Sequence, residues 1–242
     1  MPATRQFMRI ANLRREYSLA GLYRHDLEAN PITQFEMWFD QAASRRWSGR
    51  VRRFFVQSYK IFFAPCGSRD TEINAATLAT VGQDGMPSAR IVLLKGVDER
   101  GFIFFTNYES RKGRELAANP NAALVFYWPD QERQVCIAGE VQKISCDESE
   151  AYFKTRPRGS RLGAWVSQQS ETIESRSALE LCFKQLEAKF QGKEIPMPPH
   201  WGGYVLAPVR IEFWQGRPSR LHDRFVYRKQ PDESWSIERL CP

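Results

Sequence analysis

No two cysteines of this chain stand at Cys-x-x-Cys spacing. The five present, Cys66, Cys136, Cys146, Cys182 and Cys241, are odd in number and widely spread. That excludes a dense disulfide framework, argues against a zinc site and fits reduced thiols in the cytoplasm. Histidine is scarce as well. His25, His200 and His222 are not at metal-ligand spacing, so no metal is expected. No apolar run approaches the roughly 20 residues that a membrane helix needs. The N-terminus has no apolar core of a secretory signal. Its early arginines, with no acid before Glu16, are a faint transit-peptide feature only. Also missing are the Gly-x-Gly-x-x-Gly turn of dinucleotide folds, the Gly-Lys-Ser/Thr phosphate loop and the Gly-x-Ser-x-Gly elbow. No internal repeat or low-complexity tract occurs.

What remains is a chain of 242 residues, 42% hydrophobic, enough for one sizeable core or at most two small domains. Its net charge of +7 is concentrated. Residues 44–69 hold Arg45, Arg46, Arg50, Arg52, Arg53, Lys60 and Arg69 and no acid, which leaves 28 basic against 28 acidic residues elsewhere. A nucleic-acid-binding domain spreads its basic residues over its surface, so no nucleic-acid partner is expected. Trp47, Phe54, Phe55, Tyr59, Phe62 and Phe63 are interleaved with these cations. Such a segment suits contact with a membrane surface or nucleic acid. The reading favoured here is an inserted loop or helix packed on the main domain.

Apolar spacing predicts an amphipathic helix over 32–43 with Thr33 as its N-cap. From residue 77 the pattern turns to strands: 77–81, 88–94, 101–106, 122–128 and a long one over 132–145. Ser110 caps a helix to 118, stopped by Asn119-Pro120. Asp147 caps a second helix ending near Arg156, because Pro157 disfavours helix in the residue before it. Ser170 or Glu171 opens a longer helix to about 191. The tail returns to strands over 203–207, 210–215, 222–229 and 234–239. Many antiparallel strands with a few inserted helices indicate a mainly β fold, a closed or split β-barrel with helices outside.

Four groups of residues could carry chemistry. Ser110-Arg111-Lys112 opens a helix, so free backbone N–H groups, the helix dipole and two cations converge there. This suits a phosphate, and equally an ordinary solvated helix start. Arg90 and Lys95 bracket the apolar run Ile91-Val92-Leu93-Leu94. Five residues apart on a strand, they face opposite sides and could serve two ligands or simply flank a buried strand. Tyr152 and Arg156 share a helix face, with Ser160 beyond the Pro157 break; this is a second phosphate pocket or a helix-end cluster. Near the C-terminus, Arg220, His222 and Arg224 alternate with Leu221 and Asp223. On an extended strand they form a cationic, titratable ledge for a phosphorylated or electron-rich aromatic ligand, or else a protected edge strand.

The stretch over 211–224 resembles the signature of the pyridoxine/pyridoxamine 5′-phosphate oxidase family, which are FMN enzymes. So do Arg90-Ile91-Val92-Leu93-Leu94-Lys95, Ser110-Arg111-Lys112, Glu132-Arg133-Gln134, Arg156-Pro157-Arg158, Gln169-Ser170 and Trp201-Gly202-Gly203, in the family's order. The resemblance covers most of residues 8–43 and 71–242; segment 44–70 departs from it. It implies a split β-barrel FMN-binding fold and a homodimer with FMN at the subunit interface. It also implies FMN contacts from Arg90, Ile91, Val92, Leu93, Leu94, Lys95, Phe105, Thr106, Gln134, Gln169, Ser170, Trp214 and Arg224, with Arg111 and Lys112 on the phosphate. Lys95, Tyr152, Arg156 and Ser160 would hold a substrate phosphate. Arg220 and His222 would bracket the substrate ring as catalytic residues. Arg14 and Tyr17 would belong to an N-terminal arm, residues 1–31, folded over the site of a single domain spanning 32–242. The implied reaction is oxidation of pyridoxamine 5′-phosphate or pyridoxine 5′-phosphate by O2 to pyridoxal 5′-phosphate, releasing H2O2, and ammonia from the amine. The alternative is another split-barrel flavin-binding oxidoreductase or a non-catalytic flavin-binding protein.

Overall fold

A computed structural model describes residues 16–19, 21–44, 52–56, 59–63 and 72–242. Arg14 lies outside these residues. Six antiparallel strands close into a ring in the order β4–β3–β6–β7–β8–β5, with β5 returning to β4. They are β3 (Ala75–Val81), β4 (Pro87–Asp98), β5 (Gly101–Asn107), β6 (Asn121–Trp128), β7 (Arg133–Lys143) and β8 (Trp201–Gln215). Two more, β9 (Asp223–Lys229) and β10 (Trp235–Leu240), extend the sheet beyond β8. The mainly β barrel with inserted helices that the sequence indicates is therefore present.

Strict alternation builds the ring. In β3 every second residue is buried, and Phe102, Phe104, Leu124, Phe126, Ile137 and Phe213 fill the interior from four other strands. Helix α1 (Pro31–Ser44) lays Phe35, Trp38 and Phe39 against that core. Phe35 is wholly buried and meets Phe102 edge-on at 4.9 Å and Phe126 at 5.0 Å. Each such aromatic pair contributes about 0.5–1.5 kcal/mol beyond the area it buries.

Several boundaries differ from expectation for local reasons. Helix α1 begins at Pro31, whose missing N–H costs nothing in a first turn, and Asn30 Oδ1, not Thr33, accepts the Ile32 amide at 2.8 Å. Ser145, not Asp147, caps α3 (Cys146–Thr155). Its hydroxyl accepts from the Glu148 amide at 3.1 Å while the Glu148 carboxylate accepts from the Ser145 amide at 3.2 Å. A helix that was not expected, α4 (Arg158–Val166), follows Pro157, and α5 (Arg176–Lys189) starts from Ser175 rather than residue 170 or 171. The two strands expected over 203–207 and 210–215 are one. A register shift at Ala138/Gly139 in β7 accommodates Pro208, which has no ladder N–H to offer. Finally, part of the basic segment is neither loop nor helix. Its residues β1 (Arg52–Val56) and β2 (Tyr59–Phe63) form a hairpin joined to β4 through Lys60↔Val97 and Ile61↔Gly96.

Candidate active site

Helix α2 (Arg111–Ala118) starts at Ser110, whose hydroxyl accepts from the Gly113 amide at 3.3 Å. Gly113 has no side chain because a Cβ there would strike the Tyr108 carbonyl; this close approach seats the start of α2 against the end of β5. Beside it opens a cavity of about 430 Å³, bounded by β4, β5, α3, α4 and the segment after α4. Its lining collects Ile91, Val92, Leu93, Lys95, Phe105, Thr106, Lys112, Tyr152, Arg156, Ser160 and Gln169 from the expected site, and adds Pro157 and Trp201. Among the described residues three cations face this space and no carboxylate does.

The cavity wall is an aromatic stack. Phe105 lies parallel to Tyr152 at 3.9 Å on one side and to Trp201 at 5.4 Å on the other. The Arg156 guanidinium sits 4.6 Å over the Trp201 ring, and its Nη1 is buried with no hydrogen-bond partner among the described residues. A buried, unpaired guanidinium nitrogen is costly and marks a place where an acceptor belongs. Burial pushes the Lys95 ammonium below its ordinary value, Glu72 opposing this and Arg156 reinforcing it. Burial also pushes the Tyr152 phenol up to about 12 against the pull of Arg156, so it remains a neutral donor. Lys112 Nζ donates to Gln169 Oε1 at 2.9 Å and to the hydroxyls of Thr106 and Ser110 at 3.3 Å each.

Leu94 is buried in the barrel core and does not line the cavity. Arg90 and Arg111 stand behind it, both bound to Glu115. Ser170 holds a left-handed backbone, φ 78, and its hydroxyl accepts from the Arg111 amide at 3.1 Å. Glu115 escapes a reading of the sequence because it looks like an ordinary i,i+4 partner of Arg111. Trp201 belongs to the Trp201-Gly202-Gly203 motif, but nothing in spacing alone marks it as cavity wall.

The remaining expected residues form a second group. Gln134, Trp214 and Arg224 stand in register across β7, β8 and β9. Here the extended ledge is corrected. Pro218–Arg220 is a 3-10 turn, with Ser219 at φ 55 and Arg220 at φ 62, and the strand begins only at Asp223. Arg220 and Arg224 thus do not alternate along one strand. The ring of His222 lies 4.6 Å from that of Trp214, and its Nδ1 accepts from the Arg217 amide at 3.1 Å. Burial, and then the charge of Arg220, lower its pKa. Arg224 donates to Glu212 at 2.7 Å and to the Cys241 carbonyl at 2.8 Å. Tyr17 packs edge-on against Trp214 and His222, anchored by the Ser18 and Leu19 amides, which donate to Glu132 Oε2 at 3.0 and 3.1 Å. None of this second group lines the cavity.

A closed six-stranded barrel with outer helices and a cationic, aromatic-walled cavity defines the split-barrel class of flavin-binding proteins. Residues 70–190 match the family described as pyridoxamine 5′-phosphate oxidase, and residues 201–242 match the pyridoxine 5′-phosphate oxidase C-terminal dimerisation region. Relatives named pyridoxine/pyridoxamine 5′-phosphate oxidase include one from Cupriavidus necator, 52% identical over 96% of this chain and 99% of its own. Another, from Nostoc punctiforme, is 53% identical over 96% of this chain and 98% of its own. Among solved structures, PhzG from Burkholderia lata 383, in complex with tetrahydrophenazine-1-carboxylic acid, aligns with a TM-score of 0.78. It is 29% identical and covers 94% of this chain and all of its own. A pyridoxamine 5′-phosphate oxidase-related FMN-binding protein from Nostoc punctiforme shares the fold at a TM-score of 0.57 and 22% identity, over 70% of this chain and 89% of its own. The chain belongs to the pyridoxine/pyridoxamine 5′-phosphate oxidase family and is an oxidoreductase of the flavoprotein class. Among the described residues no helix is long and apolar enough to cross a membrane.

Proposed function

We propose that the protein oxidises pyridoxamine 5′-phosphate and pyridoxine 5′-phosphate to pyridoxal 5′-phosphate, using FMN and O2. The observation that carries this reading is the cavity itself. One concave site joins Thr106, Lys112 and Gln169, expected at the cofactor, to Tyr152, Arg156 and Ser160, expected at the substrate phosphate, with Lys95 in both sets. The donor set fits two phosphoesters: three cations, a neutral phenol, hydroxyls, an amide and an orphaned guanidinium nitrogen, with no acid among the described residues to repel them. FMN held there would supply the redox chemistry, two electrons leaving substrate C4′ as a hydride and passing on to O2 with release of H2O2.

The residues of this chain supply position and electrostatics. Arg156, Lys95, Tyr152 and Ser160 hold the substrate phosphate at one end of the aromatic stack. That anchoring turns a two-body encounter into a fixed approach and removes much of the entropic barrier. Desolvation of Lys95 and Arg156 strengthens their grip once an anion has displaced water. His222 accepts through Nδ1, so its Nε2 carries the hydrogen and can donate to a substrate ring.

The second group must reach the cavity from another copy. The outer sheet face supports this reading. Ile91, 62% exposed, stands in one row with half-buried Thr77 and Val125 and with Cys136, and Tyr127, 50% exposed, pairs with Gln134 in a second row. An apolar face of this kind fits a twofold contact with itself. The assembly is therefore a homodimer with each FMN site between subunits.

A yellow protein by visible absorption, releasing peroxide with pyridoxamine 5′-phosphate and not with pyridoxamine, is the expected result. Arg156→Ala should raise KM for the phosphorylated amine by about 10–100-fold, the worth of a charge-assisted hydrogen bond, while bound flavin is unchanged. A colourless protein, or equal turnover of the dephosphorylated amine, overturns the reading. The Burkholderia lata neighbour binds a ring carboxylate. An oxidase of a carboxylated aromatic is accordingly the second reading, and peroxide release with pyridoxamine 5′-phosphate separates the two.

A further inference from the structure

Glu115 lies one turn beyond Arg111 on α2 and is only 8% exposed. Its carboxylate is the meeting point of three elements. Oε2 accepts from the Thr80 hydroxyl of β3 at 2.5 Å, the Ser88 hydroxyl of β4 at 2.6 Å and Arg90 Nη2 at 3.1 Å. Oε1 accepts from Arg111 Nε at 2.8 Å. Thr80 and Ser88 also accept from the two terminal nitrogens of Arg90, so that guanidinium is held on both sides. A surface i,i+4 pair needs none of this support. Arg111 keeps its terminal nitrogens without an acceptor among the described residues, and Lys112, its neighbour in sequence, faces the cavity.

We propose that Glu115 is a positioning residue for the phosphate of the flavin. It fixes Arg90 and Arg111 behind Lys112 and cuts the local charge to suit one phosphate monoester. The inference rests on reading the start of α2 as the flavin phosphate site. Arg90, Arg111 and Lys112 bring three positive charges and Glu115 removes one. The remaining two match a phosphate monoester, which carries about −1.5 to −2 at pH 7. An arginine already held in place loses less freedom when it grips an anion, so the carboxylate contributes preorganisation as well as charge.

The test compares FMN with riboflavin, which lacks the phosphate. Both are titrated into flavin-stripped protein, and binding is read by quenching of flavin fluorescence. The wild-type protein should prefer FMN. Glu115→Ala should weaken FMN about tenfold or more and leave riboflavin within about twofold, the loss expected when charge-assisted hydrogen bonds go. Glu115→Gln, which keeps the side-chain shape, should show a smaller loss confined to FMN; it carries the test if the alanine variant does not fold. Equal weakening of both flavins would mean a general structural role and overturn the inference, as would unchanged or tighter FMN binding. Wild-type indifference to the phosphate overturns the phosphate site and this role with it. A wild-type preference that survives in both variants overturns the role of Glu115 alone.

Discussion

Arg220 holds a left-handed backbone directly after Ser219, a conformation that costs a non-glycine residue roughly 1–2 kcal/mol. Strain of this kind persists where the surroundings over-determine it, and it gathers at functional sites. Here the turn returns the chain so that the Arg217 amide meets His222. Arg220→Ala should lower kcat/KM by about two orders of magnitude through loss of a charged substrate contact, with flavin content unchanged. Parallel loss of flavin would place Arg220 at the cofactor instead. Glu115 carries a pH signature. Burial alone would raise its carboxyl, but hydrogen bonds from Ser88, Thr80, Arg111 and Arg90 outweigh this and bring it down to about 2. Its folded pKa lies below the ordinary value near 4.5, so its contribution is whole above that pH and fades as the pH falls towards 2. The melting temperature should therefore drop through that acid window, and Glu115→Gln should flatten part of the drop. An unchanged acid limb in that variant would refute the assignment. At this scale the sequence reveals residues that act through neighbours in the chain, such as Ser110 capping α2. It conceals Glu115, because Thr80 and Ser88 reach it only after β3 and β4 have folded. It also conceals the turn at Ser219-Arg220, because no glycine marks it.

Among the elements, apolar runs bounded by turn residues made β3 and β6 legible, and Pro157 made the end of α3 legible. Helix α4 was not legible, since Arg158-Gly159-Ser160 reads as loop until the helix finds Leu162 a place in the core beside Ile103 and Trp201. The break expected in β8 failed for a related reason. Pro208 forbids a ladder bond at one position only, and β8 absorbs it by skipping Val209 in the register with β7. The β1–β2 hairpin was hidden by its cations, which mask the alternation of a strand. It joins the sheet at β4 through two residue pairs, at Gly96 and Val97, just beyond the cavity-lining Lys95. Removing residues 46–68 should leave flavin affinity within about twofold, the scatter usual for surface changes. A colourless deletion protein would instead make the hairpin part of the folding core.

Seen whole, the molecule keeps its two ligand-facing groups apart, and β8 fixes the separation. Trp201 at the start of this uninterrupted strand walls the cavity, and Trp214 near its end packs with His222 and Tyr17. Thirteen residues at about 3.3 Å each make at most about 40 Å of strand between these two tryptophans. Under the proposed function, one chain owns halves of two different sites. Ownership of this kind permits rescue between damaged copies. A mixed pair with Arg156→Ala in one copy and Arg220→Ala in the other assembles one intact centre and one doubly broken centre. Such a hybrid should recover about half the wild-type turnover, whereas each mutant paired with itself stays crippled at both.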